Sequence, residues 1–137
     1  MPFHRNFTNL KLTAKHAKYI SFVELLDIPT IGNKSQKRDV FFKLTSLFHL
    51  RYLDRLIYDS SDKLFFVSAG VVRDLKQIFR IYPELAGGGI EALLNRTTSK
   101  LPNGSEVHEI YHFSSSQIHG QYSSIRLAIN RWLENKL

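Results

Sequence analysis

The chain has no cysteine among its 137 residues, which excludes disulfide bridges and any zinc site built on thiolate. It has no apolar run approaching the roughly 20 residues that a bilayer-spanning helix needs. The opening stretch, MPFHRNFTNLKLTAKHAKYISF, carries basic residues but no continuous apolar segment, and Arg5 is its only arginine. Neither a secretory signal nor an arginine-rich transit peptide is expected from it, and the expected location is cytoplasmic. Internal repeats and low-complexity tracts are missing, as are a Walker loop, a Ser-His-Asp spacing and a useful pair of carboxylates. No cofactor is implied.

Apolar residues make up 43% of the chain and aromatics 12%, enough to build a core and to argue against disorder. Its length suits one compact domain. The formal charge is +7. Residues 1–55 hold 10 Lys and Arg against 4 Asp and Glu, a net of +6, whereas residues 56–137 hold 9 against 8. Such a concentration of cationic charge in one half is the electrostatic footprint expected of a polyanion partner.

Helical spacing recurs along the chain. Ala14, Ala17, Ile20, Val23, Leu25 and Leu26 predict a helix over Thr13 to Leu26, ended by Ile28-Pro29. Ser35 is placed to cap the next helix, whose apolar face is Val40, Phe41, Leu44, Leu47 and Phe48. Tyr52 to Tyr58 and Lys63 to Ser68 are rich in aromatic and branched residues and predict two strands joined by a turn at Asp59-Ser60-Ser61-Asp62. Val71 to Tyr82 predicts a helix stopped at Pro83; Gly87-Gly88-Gly89 predicts a joint or helix stop before a short helix at Ile90 to Asn95. Thr97 to Ser105 has turn composition throughout. Ser123 to Leu137 predicts a last amphipathic helix, with Ile125, Ala128, Ile129, Trp132 and Leu133 on one side, serving core packing or a dimer interface.

Helix, hairpin and helix in that order, behind a basic helix start, describe a winged helix-turn-helix. The stretch KLTSLFHLRYLDRLIYDSSDKLFFVSAG resembles the end of the groove helix and the wing of such proteins. It looks most like the replication-relaxation group of mobile elements and the MarR-like or plasmid-partition regulators. It carries Arg51 where those proteins have glycine, and acidic Asp59 and Asp62 at the wing tip. The helix that usually precedes the groove helix is reduced to the few residues Asp27 to Asn33.

The resemblance implies an α+β, mostly helical fold. Residues 1–82 would form a winged-helix DNA-binding domain with a two-stranded wing, and 83–137 a helical extension that can serve dimerisation. It further implies a DNA-binding homodimer acting in transcription regulation or plasmid replication and partition. Ser35, Gln36, Lys37 and Arg38 would meet base edges, since arginine suits guanine and glutamine suits adenine. Lys34 and Lys43 would hold phosphates, with Thr45 and His49 farther along the polar side. Double-stranded DNA is the expected partner, and structured RNA the alternative.

A second motif competes. His108-Glu109-Ile110-Tyr111-His112 matches the His-Glu-x-x-His pattern of zinc hydrolases. On a helix, His108 and His112 would stand one turn apart and share a metal while Glu109 activates water; Glu134 or His119 would supply a third ligand. The Ser114-Ser115-Ser116 run that follows favours ending a helix, and a strand over Val107 to Phe113 fits the pattern equally well.

Overall fold

A computed structural model describes residues 2–13, 16, 19–20, 46–59 and 62–135, with the side chains of residues 2–4 left aside. In chain order the elements are α1 (Pro2–Asn9), α2 (Leu47–Tyr58), β1 (Leu64–Ser68), α3 (Ala69–Ile81), a 3-10 turn (Pro83–Leu85), α4 (Gly89–Asn95), β2 (Glu106–Ile110), a second 3-10 turn (Ser116–Gln121) and α5 (Tyr122–Glu134). The fold is α+β. Among the described residues the sheet has two strands, and they run parallel, with Leu64 opposite Glu106 and Ser68 opposite Ile110.

That pairing corrects the expected wing. A two-residue or four-residue turn can join antiparallel strands, but parallel strands need a long crossover, supplied here by α3, the 3-10 turn and α4. The expected first wing strand, Tyr52 to Tyr58, is the second half of α2. Leu50 and Leu53 are buried on one side of α2, and Ile57, at the same helical spacing, packs against the cluster that holds Leu50. Burying that stripe requires a helix, and it overrides the strand preference of Tyr52, Ile57 and Tyr58. Ser46 opens α2 by accepting a hydrogen bond from the His49 nitrogen at 3.1 Å. Asp59 and Asp62 therefore join a helix to a strand and do not form a wing tip.

Two apolar clusters lie on opposite faces of the sheet. Alternation along β1 sends Phe65 and Val67 toward Leu50, Leu75, Ile78, Leu85, Ile90, Leu93, Leu101 and Val107, which come from α2, α3, the first 3-10 turn, α4, the segment after α4 and β2. Leu64, Phe66 and Ile110 face the second cluster, built on Leu10, Ile118, Ile125, Ile129 and Leu133. The strand pair is thus the middle layer between helices. It joins residues on either side of Tyr82, and both clusters draw on both sides.

The triple glycine has three separate reasons to be glycine. Gly87 sits at φ +83°, and a Cβ on Gly88 would run into the Asp54 carboxylate. A Cβ on Gly89 would press on the backbone of α2, 2.6 Å from the Tyr58 nitrogen. The Asp54 carboxylate accepts from the Ile90 nitrogen at 2.9 Å, so one helix caps the start of the next. From the other side, Asn103 Nδ2 donates to the carbonyls of Ile57 (2.8 Å) and Tyr58 (3.1 Å) at the end of α2.

The helices expected over Val71 to Tyr82, Ile90 to Asn95 and Ser123 to Leu137 are present as α3, α4 and α5. The apolar side of α5 is spent inside the molecule: Ile125, Ile129 and Leu133 are buried, and Trp132 Nε1 donates to the Asp62 carbonyl at 2.6 Å. The helix expected over Thr13 to Leu26 falls mostly outside the described residues. Among the described residues, no helix is long and apolar enough to cross a membrane.

Candidate nucleic-acid interface

Of the residues expected to contact DNA, Lys34, Ser35, Gln36, Lys37, Arg38, Lys43 and Thr45 lie outside the described residues. His49 is in the first turn of α2, half-buried, with its ring stacked on that of Tyr52 at 6.4 Å between centroids. The helical spacing predicts Leu47 and Phe48 on one apolar face. Leu47 does pack against the first cluster, but Phe48 is 85% exposed. One helical step of 100° separates them, enough to turn Phe48 from the core to solvent.

Phe48 does not stand alone. Arg51, Tyr52 and Arg55 follow it at i+3, i+4 and i+7, the spacing that places side chains in one row along a helix. All four are exposed, and exposed Tyr58 continues the row at the C-terminal end. The opposite side of α2 is locked by Leu50, Leu53, the Asp54 cap and the Gly89 contact, so the outward direction of the row is set by the core. Among the described residues neither Arg51 nor Arg55 makes an ion pair. Their nearest sequence carboxylate, Asp54, points the other way to cap α4.

The row therefore offers two uncommitted guanidinium groups interleaved with flat aromatic rings. Guanidinium forks match phosphate oxygens, and rings offer stacking surface to bases. The sequence contained this row in plain view, but reading Tyr52 to Tyr58 as a strand scattered it over two faces. Applying the period of 3.6 through Tyr58 would have recovered it.

The His-Glu-x-x-His motif has a different geometry from the one a zinc site needs. Residues Glu106–Ile110 are strand β2, and the chain leaves it before His112. His108 lies 3.2 Å from the Glu106 carboxylate and stacks on Phe66 at 5.8 Å. Glu109 pairs with Arg96 at 3.2 Å, and His112 Nδ1 is 2.6 Å from the Ser114 hydroxyl. Glu134 is exposed at the end of α5. His119, the other expected third ligand, donates to Asn6 Oδ1 at 2.9 Å. Among the described residues no three His, Asp or Glu side chains gather closely enough to hold a metal ion. One helical turn between the two histidines was the premise of that site, and the strand removes it.

A shallow depression of about 400 Å³ is lined by Ala92, Asn95, Arg96, Thr97, Lys100, Leu101 and Pro102. Arg96 is held there by the Leu93 carbonyl and Glu109, which leaves the depression without a convergent set of reactive groups. In comparisons with known proteins, no protein-family model, no curated protein and no solved structure matches the chain.

Proposed function

We propose that this protein binds nucleic acid through its basic N-terminal half, with the outward row of α2 as part of the contact surface. The observation that carries the reading is Arg51 and Arg55, without an ion pair among the described residues and set among exposed rings, with nearly all the net positive charge in residues 1–55. Phosphate contacts from such groups supply affinity without sequence information and make binding fall steeply with salt.

In the duplex form of this reading, Ser35, Gln36, Lys37 and Arg38 contact base edges and Lys34 and Lys43 contact phosphates. The protein would then act as a transcription regulator or as an accessory to replication or partition of a mobile element. That form does without a wing, since α2 occupies its first strand. As a homodimer it would need a surface other than the apolar side of α5, which packs internally. The second reading is RNA binding, and the exposed rings of Phe48, Tyr52 and Tyr58 favour it, because paired bases offer their faces to one another and unpaired bases offer them to protein.

The test is a binding titration over a range of salt concentrations with the intact chain and two double variants. Lys37→Ala with Arg38→Ala, and separately Arg51→Ala with Arg55→Ala, are each expected to weaken binding at least about tenfold. In the Arg51 and Arg55 variant, losing two phosphate contacts also lowers the slope of log affinity against log salt by about 1.4 for a single strand or about 1.8 for a duplex. Binding that both variants leave unchanged refutes the reading.

A further inference from the structure

Two features of the α2 row say more about the ligand than its charge does. The first is how exposed its rings are. Phe48 keeps 85% of its surface in solvent, Tyr52 55% and Tyr58 59%, on a helix whose inward residues Leu50 and Leu53 are almost fully buried. Exposed Lys or Glu would serve solubility at these positions, whereas three aromatic rings in a row leave apolar surface in water and gain only when something flat covers them. The second is the alternation of ring and guanidinium. Phe48 and Tyr52 stand about 6 Å apart along the helix axis, and Arg51 and Arg55 lie between and beyond them. A strand laid along this row meets two neighbouring rings for its bases and two cations for its phosphates.

We propose that the row Phe48, Arg51, Tyr52, Arg55 and Tyr58 is a stacking platform for an unpaired RNA strand. The inference rests on the nucleic-acid reading above and narrows it to one kind of ligand. A duplex keeps its bases stacked inside and presents phosphates and groove edges; the arginines of the row could serve it, but the rings would find no partner. Splayed bases of a single strand stack on aromatic side chains and on arginine planes with little dependence on sequence. The choice of ribose over deoxyribose comes from the phenol groups. Among the described residues the hydroxyls of Tyr52 and Tyr58 have no hydrogen-bond partner, and each can donate to or accept from a ribose 2′-hydroxyl, the group that distinguishes RNA.

Charge complementarity calls for an anionic partner, and the exposed rings favour nucleic acid over an acidic peptide. A peptide carboxylate would satisfy Arg51 and Arg55, but it has no flat face to cover Phe48 and Tyr52. Nor does the row depend on the acidic Asp59 and Asp62, which lie past its C-terminal end.

The experiment uses the full chain and three labelled probes: an oligouridylate of about 12 nucleotides, inside the usual site-size range, its deoxy counterpart, and an RNA duplex of about the same length. The oligouridylate is expected to bind tightest. Phe48→Ala with Tyr52→Ala is expected to weaken it at least about tenfold and to change duplex binding by less than about twofold, since stacking is lost and charge is kept. Both residues are exposed, so the far-ultraviolet circular dichroism and the melting temperature of this variant should match those of the parent. Tyr52→Phe keeps the ring and is expected to retain most of the affinity while narrowing the preference for ribose. Equal or tighter binding of the deoxy strand or of the duplex overturns the assignment, as does an aromatic double variant that binds the oligouridylate like the parent. If the arginine double variant loses binding and the aromatic one does not, only the platform is wrong. If neither loses it, the nucleic-acid reading falls as well.

Discussion

Asn6 shows how much one short side chain can hold in place. It is 95% buried, and its amide donates to the carbonyls of Phe113 (2.6 Å) and Ser115 (3.2 Å). Those two bonds fix which end of the amide is nitrogen, so Oδ1 must be the acceptor for His119 Nε2. The Tyr122 hydroxyl completes the knot by donating to the Asn6 carbonyl at 2.8 Å. Four hydrogen bonds thus tie α1 to the loop after β2 and to the start of α5. Asn6→Ala removes the partner of two half-buried carbonyls and of His119, and is expected to cost about 1–3 kcal/mol in chemical denaturation. A loss below about 0.5 kcal/mol would mean that water replaces the amide and that the knot is not a structural tie. Nothing local points to it: a lone asparagine in a basic opening segment has no pattern, and its partners lie more than a hundred residues away.

At the scale of elements, legibility followed periodicity. α3, α4 and α5 were readable because their apolar residues repeat at 3.6 and their ends carry Pro83, Gly87-Gly88-Gly89 or a turn-rich run. α2 was misread in its second half because Tyr52 to Tyr58 has strand-like composition, and only the neighbouring α4 decides the matter. β1 is legible, and so is a strand over Val107 to Phe113 as an alternative to a helix, but their pairing is not, since a strand's composition says nothing of which distant strand it joins. The same limit hid the candidate site: its residues were all in view, and their common face was not. The α2–α4 contact also makes a prediction. Gly89→Ala pushes a methyl group into backbone, which has no rotamer to escape through, and is expected to destabilise the fold by about 1–3 kcal/mol, seen as a lower melting temperature. Gly120→Ala meets open space and serves as the control, with little change expected.

For the molecule as a whole, the parallel strand pair has the largest effect. Residues 64–68 cannot find their ladder partners until the chain has run through α3 and α4 to 106–110. A fragment ending at residue 82 would carry β1 without its ladder partner and would lack most of the buried residues of each apolar cluster. It is expected to lack a cooperative melting transition, whereas the whole chain should show one; a cooperatively folding fragment would show that the two halves are independent. The long sequence separation of these contacts also explains why reading the chain locally favoured a hairpin. A hairpin was the nearest pairing available to Lys63 to Ser68, and the global fold chose a more distant one.

The indole contact has a practical consequence. Trp132 is the chain's one tryptophan, and its ring nitrogen is fastened to the Asp62 carbonyl in the turn that leads out of the candidate platform. Its emission therefore reports a single place, where the last helix grips the exit of α2. Ligand arriving on Phe48 and Tyr52 that tightens or loosens that turn should shift the colour or intensity of the indole signal, giving a label-free optical readout with no engineered dye.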